Sequence, residues 1–117
     1  MVHSQLATII MMSGDSMEGM ELRPSDVLDS NREAIRHVVA THHASNARIF
    51  GSVLHGCDHD DSDLDILIDP TPDTSLMDVA AIQIELQQLL GVSVDVLTPM
   101  ALPEAFRHRV LSEAVPV

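Results

Sequence analysis

Lysine, tryptophan and tyrosine are all missing from this chain of 117 residues, and cysteine occurs once. Each shortage excludes something. Cationic side chains are limited to six arginines against 18 Asp and Glu, a formal net charge of −12. Such a surface repels a phosphate backbone, whose neutralisation normally drives nucleic-acid binding, so no direct nucleic-acid partner is expected. The same charge favours a basic protein partner. The lone Cys57 cannot form an intramolecular disulfide and fits a reducing compartment. No apolar run approaches the roughly 20 residues of a membrane span. The first residues also lack the cationic segment and long apolar stretch of a secretory signal. A cytoplasmic chain with no membrane association is therefore expected. The only aromatic residues are Phe50 and Phe106, so the core must be aliphatic.

What is present is enough for one small domain. Residues 1–20 read as a disordered or dispensable tail in which Met residues punctuate Ser, Gly and Asp, with one short apolar run from Leu6 to Met12. Met20 resembles a natural start, and residues 21–117 form the domain. A first helix is expected from Ser25, as N-cap, to about His43, with Leu28, Ile35, Val38, Val39 and His42 as its buried stripe. Ala44 to Asn46 reads as a turn, and Arg48 to Phe50 as a short strand. A polar loop rich in Asp and His, Val53 to Ser62, precedes a second strand over Leu64 to Asp69. A second helix is expected over about Ser75 to Leu90, buried through Leu76, Val79, Ile82, Leu86, Leu89 and Leu90, with Gly91 as its stop. A third strand follows over Val92 to Leu97. Pro103 opens a last short helix carrying Phe106 and Val110 on one side. This order predicts an α+β fold, a small mixed sheet with helices packed on one face.

The chemistry concentrates in one string: Gly51-Ser52, ten intervening residues, then Asp63-Leu64-Asp65. A Gly-Ser turn lets backbone and hydroxyl approach phosphate oxygens, and paired carboxylates can hold a metal that bridges those oxygens. Strand alternation adds a third group. Leu64, Ile66 and Ile68 share one face of the second strand, with Asp63 and Asp65 on the other. Val94 and Val96 share a face of the third strand, with Asp95 opposite. If the two strands pair apolar face to apolar face, Asp63, Asp65 and Asp95 form one patch. Repulsion among three carboxylates is usually relieved by bound cations.

These residues resemble the signature of the DNA polymerase beta-like nucleotidyltransferases, in particular the minimal nucleotidyltransferases. The resemblance rests on Arg48 to Gly56, Ser62 to Ile68, and Val94 to Thr98, and extends over roughly Leu22 to Val117. It implies the polymerase beta-like nucleotidyltransferase fold. Gly51 and Ser52 would bind the triphosphate of ATP. Asp63 and Asp65 would bind two Mg2+ ions, with Asp95 completing the metal set and a candidate to accept a hydroxyl proton. The implied enzyme is a protein adenylyltransferase, passing AMP from ATP to a protein. Many minimal members are antitoxins paired with a HEPN ribonuclease toxin, so a hetero-oligomer with such a toxin is expected. The family commonly carries Arg where this chain has His55, which grips phosphate less strongly when neutral. The alternative is therefore a nucleotidyltransferase-fold antitoxin that neutralises its partner by contact alone. Aminoglycoside-modifying relatives suggest a small-molecule acceptor, but nothing beyond the minimal fold supplies a pocket for one.

Two other patterns in the Asp/His loop carry less. Asp58, Asp60 and Ser62 imitate the start of an EF-hand loop, but Asp63 stands where that loop needs Gly. His55, Cys57 and His59 match no common zinc spacing. A solvated loop accounts for both.

Overall fold

The computed structural model describes residues 23–59 and 61–117. The tail assigned to residues 1–20, with its Leu6 to Met12 run, lies outside the described residues, as does Asp60. Four helices and four strands follow in the order α1 (Pro24–Ser30), α2 (Arg32–Thr41), β1 (Ala44–Phe50), β2 (Leu64–Pro70), α3 (Leu76–Leu90), β3 (Val94–Leu97), α4 (Glu104–Glu113) and β4 (Val115–Pro116). A 3-10 turn, Pro99–Ala101, joins β3 to α4.

The expected first helix is broken in two. Arg23, not Ser25, stands at its N-cap, its N–H donating to the Asp26 carboxylate (3.1 Å), and Pro24 takes the first turn, where a missing N–H costs nothing. At Asn31 the backbone leaves the helical region (φ −134°), and the side-chain amide donates to the Val27 carbonyl at 2.8 Å. That bond satisfies a carbonyl at the end of α1, and α2 begins at the next residue, Arg32. Ala44 to Asn46, expected as a turn, is the start of β1. The turn sits earlier, at His42 and His43, where His43 has φ 67°. Asn46, at φ 54°, coincides with a register shift between Ser45 and Arg48, a bulge that an alternation pattern cannot signal.

The sheet order is β3-β2-β1-β4. β1 runs antiparallel to both β2 and β4, while β2 and β3 are parallel and joined by α3 as a crossover. β2 is interior to the sheet, and four of its seven residues are buried. Leu64, Ile66 and Ile68 point toward the helices and meet Leu28, Ile35, Val39, Ile82 and Leu86. Leu67 faces the other way, into a smaller cluster with Leu102 and Val110. Helices α1 to α3 thus cover one face as expected, and α4 with the 3-10 turn closes part of the reverse face.

α3 begins with a reciprocal capping box: Asp78 N–H donates to Ser75 Oγ (3.1 Å) and Ser75 N–H to the Asp78 carboxylate (2.9 Å). It ends at Gly91, φ 74°. Its buried stripe is narrower than expected, comprising Ile82, Leu86 and Leu90, while Leu76 and Leu89 face solvent. Phe106 is likewise exposed, because non-helical backbone there (φ −130°) turns it away from buried Val110. Two glutamines of α3 reach back to β3: Gln87 Oε1 accepts from Val94 N–H (3.1 Å) and Gln83 Oε1 from Val96 N–H (2.9 Å). No helix among the described residues is long and apolar enough to cross a membrane.

Burial separates two leucines of α3 that sequence pattern treats alike. Leu86→Ala is expected to cost about 2–5 kcal/mol in urea unfolding. Leu76→Ala, 87% exposed, is expected to change stability by under about 0.5 kcal/mol. Comparable losses would show that α3 is packed differently.

Candidate active site

β1 delivers the chain into a tight loop at Gly51, and glycine there is forced on two grounds. Its φ is 80°, and a Cβ built on it would run into Asp65 Oδ2 and lie 3.2 Å from Asp65 Cγ. The backbone of Gly51 therefore lies directly against the Asp65 carboxylate. The following residues coil on themselves: His55 N–H donates to the Gly51 carbonyl (3.2 Å), Gly56 N–H to Val53 (3.3 Å) and Cys57 N–H to Ser52 (2.9 Å). Backbone amides beside a glycine suit an anionic ligand.

The carboxylates come from the parallel pair. Asp65 lies opposite Asp95 in register, flanked by the Leu64–Val94 and Ile66–Val96 rungs. Asp63 precedes the first residue of β2, in a segment pinned by the Leu64 N–H bond to the Ser93 carbonyl at 2.8 Å. Just upstream, His59 N–H donates to Ser62 Oγ (2.7 Å) and Ser62 N–H back to the His59 carbonyl (3.1 Å). Phe50, the β1 partner of Asp65, shares its face of the sheet and packs against the Leu67 cluster. Asp65 is half-buried, whereas Asp63 and Asp95 are exposed.

Asp65 pays electrostatically for this position. Burial, then the charges of Asp95 and Asp63, raise its carboxyl pKa to about 6. As they stand, no three His, Cys, Asp or Glu side chains among the described residues are arranged to hold a metal ion. The donor chemistry nonetheless fits a hard divalent cation: three carboxylates, one half-buried with a raised pKa, form a concentration of negative charge that such an ion neutralises. Asp63, Asp65 and Asp95 would be its ligands.

The other candidates separate clearly. Arg48 is committed to an ion pair with Asp69 and donates to the Asn46 carbonyl at 3.1 Å. Arg107 donates to the carbonyls of Met100 (3.3 Å) and Leu102 (2.8 Å). Arg109 is exposed and, among the described residues, makes no ion pair. His55 Nε2 lies 3.8 Å from Glu113 Oε2, so the loop touches the end of α4.

Sequence reasoning missed Asp58. It is buried, and its Oδ2 accepts the Ser25 amide at 3.0 Å, tying the loop to the start of α1. Burial pushes its pKa up, but the bonds from Ser25 outweigh that and leave it below the usual carboxylate range. Nothing in a run of Asp and His marks one member as the buried one.

Comparison with known proteins agrees with this architecture. Residues 33–117 match the family described as Polymerase beta, Nucleotidyltransferase, and the chain belongs to that family. A protein of Methanocaldococcus jannaschii described as a "putative protein adenylyltransferase" is 36% identical over 80 residues, spanning 68% of this chain and 86% of that one. A solved structure of a "putative minimal nucleotidyltransferase" superposes with a TM-score of 0.72 at 39% identity, covering 80% of this chain and 95% of the other. A crystal structure of a toxin-antitoxin with AMP-PNP superposes with a TM-score of 0.63 at 18% identity, covering 74% and 71%, a likeness of fold.

The raised pKa of Asp65 has a defined sign. The folded chain holds a proton on Asp65 up to about pH 6, whereas the unfolded chain releases it near 3.8, so stability falls as pH rises between those values. Asp65→Asn is therefore expected to stabilise the metal-free protein above pH 7, by about 1–2 kcal/mol once solvent screening is allowed for, and to be neutral near pH 4. Thermal unfolding at the two pH values checks this. Gly51→Ala should displace the Asp65 carboxyl and strain the loop, lowering stability by about 1–3 kcal/mol. Divalent cations should then raise its Tm less than they raise that of the unsubstituted protein.

Proposed function

We propose that this chain transfers AMP from ATP to a side-chain hydroxyl of a protein partner. The observation that carries this reading is the Asp65–Asp95 rung with Gly51 backbone packed against Asp65. It brings a phosphate-compatible turn and a carboxylate row together from three separate stretches of chain.

In this reading the Gly51-Ser52 turn receives the triphosphate through its backbone and the Ser52 hydroxyl. Asp63 and Asp65 would hold Mg2+, with Asp95 completing the set. Bound Mg2+ would neutralise phosphate charge and make the acceptor hydroxyl more acidic. Asp95, exposed and across the rung from Asp65, accepts the hydroxyl proton. The acceptor oxygen forms its bond to the α-phosphorus as the bond to the β-phosphate bridging oxygen breaks, and pyrophosphate leaves. The adenylyltransferase description of the M. jannaschii relative supports AMP as the transferred group. The toxin-antitoxin neighbour, which contains AMP-PNP, supports an antitoxin role, and we assign the partner as a HEPN ribonuclease toxin neutralised by modification.

A second reading, neutralisation by contact alone, is favoured by one observation. Arg48 and Arg107 are already bound within the fold, so cationic support for a triphosphate is thin.

The two readings part in one experiment: intact mass of the protein encoded beside this gene after incubation with this chain, ATP and Mg2+. One or more added AMP groups, absent with Asp63→Ala/Asp65→Ala, is the expected outcome. A stable complex with unchanged mass would replace transfer with contact.

A further inference from the structure

α3 is apolar on both sides. Its inward stripe is Ile82, Leu86 and Leu90, and the opposite side carries Met77, Ala80 and Ile84 at spacings of three and four residues, one straight row along the helix. Met77 is 79% exposed and Ile84 53%, and neither meets the core. A helix that is hydrophobic all round normally has neighbours all round. Ala80 between the two larger side chains makes a shallow notch where another helix can approach closely.

The charge around this row is one-sided. No Lys or Arg occurs between Arg48 and Arg107, a stretch that contains all of α3. Asp73 and Asp78 lie at the start of the helix and Glu85, paired with His42, on its flank. An anionic lipid surface would be repelled, and a second copy carries the same net charge of −12. What complements an apolar row with an acidic border is an apolar ridge with a basic border. We propose that the outer face of α3 is the docking surface for a cationic amphipathic helix of a protein partner.

This face lies on the opposite side of the sheet from Asp65 and Asp95, so the proposal does not depend on AMP transfer. A partner held there leaves the carboxylate row open. Loss of docking and loss of chemistry are separable: Asp65→Asn leaves the α3 face intact.

The test uses the full chain and a fluorescent peptide of about 18 residues, five helical turns, in which Leu and Lys alternate in amphipathic register. A peptide of the same composition in scrambled register serves as reference. Anisotropy should show tighter binding of the amphipathic peptide. Ile84→Glu and Met77→Glu should each weaken it at least about tenfold, although each adds attraction for a cation. Met100→Glu adds the same charge at an exposed apolar residue outside α3, and should not weaken it. Unchanged binding by the α3 variants, or equal affinity for the scrambled peptide, would overturn the proposal and leave only unspecific charge attraction. Sedimentation showing a dimer that Ile84→Glu dissociates would assign the face to a second copy instead. A Tm lowered by several degrees in both α3 variants would show that this chain covers the face itself, which overturns it equally.

Discussion

The register of β2 against β3 is the constraint on which the rest of the molecule depends. β2 is an interior strand, and its inward Leu64, Ile66 and Ile68 have no exposed surface. A slip of one residue would drive Asp65 into an aliphatic core and turn three large apolar side chains out of it. Burial of those side chains therefore holds Asp65 on the reverse face, where parallel pairing sets it across from Asp95. The repulsion between the two carboxylates is tolerated because the apolar face opposes any shift that would relieve it. Core and site are two sides of one strand.

The closest approach in the site is made by an absent side chain. Without Cβ, Gly51 lets the end of β1 lie against the Asp65 carboxyl, so the loop that would receive phosphate and the group that would hold a cation share a boundary. Asp58 steadies the same loop from the other direction by binding the Ser25 amide. Membership of the polymerase beta nucleotidyltransferase family is consistent with this economy: the candidate site occupies one loop and two strand positions.

Much of this was legible in the sequence. The alternation of Leu64-Asp65-Ile66 and Val94-Asp95-Val96 is unambiguous, because each strand has one wholly apolar face, and it predicted the face shared by Asp65 and Asp95. Gly91 marked the end of α3, and its start was placed at about Ser75; the Ser75–Asp78 capping box that fixes that start went unread. The sequence was silent where long-range contacts decide. The break at Asn31 depends on a side chain choosing a carbonyl four residues back. The burial of Asp58, among equivalent acids, depends on where α1 comes to rest. Leu76 and Leu89 match the period of the buried stripe's neighbours, yet the width of the α3 contact is set by α2 and the sheet. The proposed metal and phosphate roles of Gly51, Ser52, Asp63, Asp65 and Asp95 rest on pattern and proximity together.

The bonds from Gln83 and Gln87 to β3 reach beyond the helix that supplies them. The amides of Val94 and Val96 point away from β2, and bare amides on the margin of an aliphatic sheet are a template on which another chain can crystallise its own strand. Both are occupied by side chains that cannot propagate a ladder. The opposite margin is β4, two residues long and ending in proline. A chain whose strands are rich in Val, Ile and Leu is thereby denied fibril-like growth along both flanks, and it can remain discrete at concentrations where an open-sided sheet would polymerise.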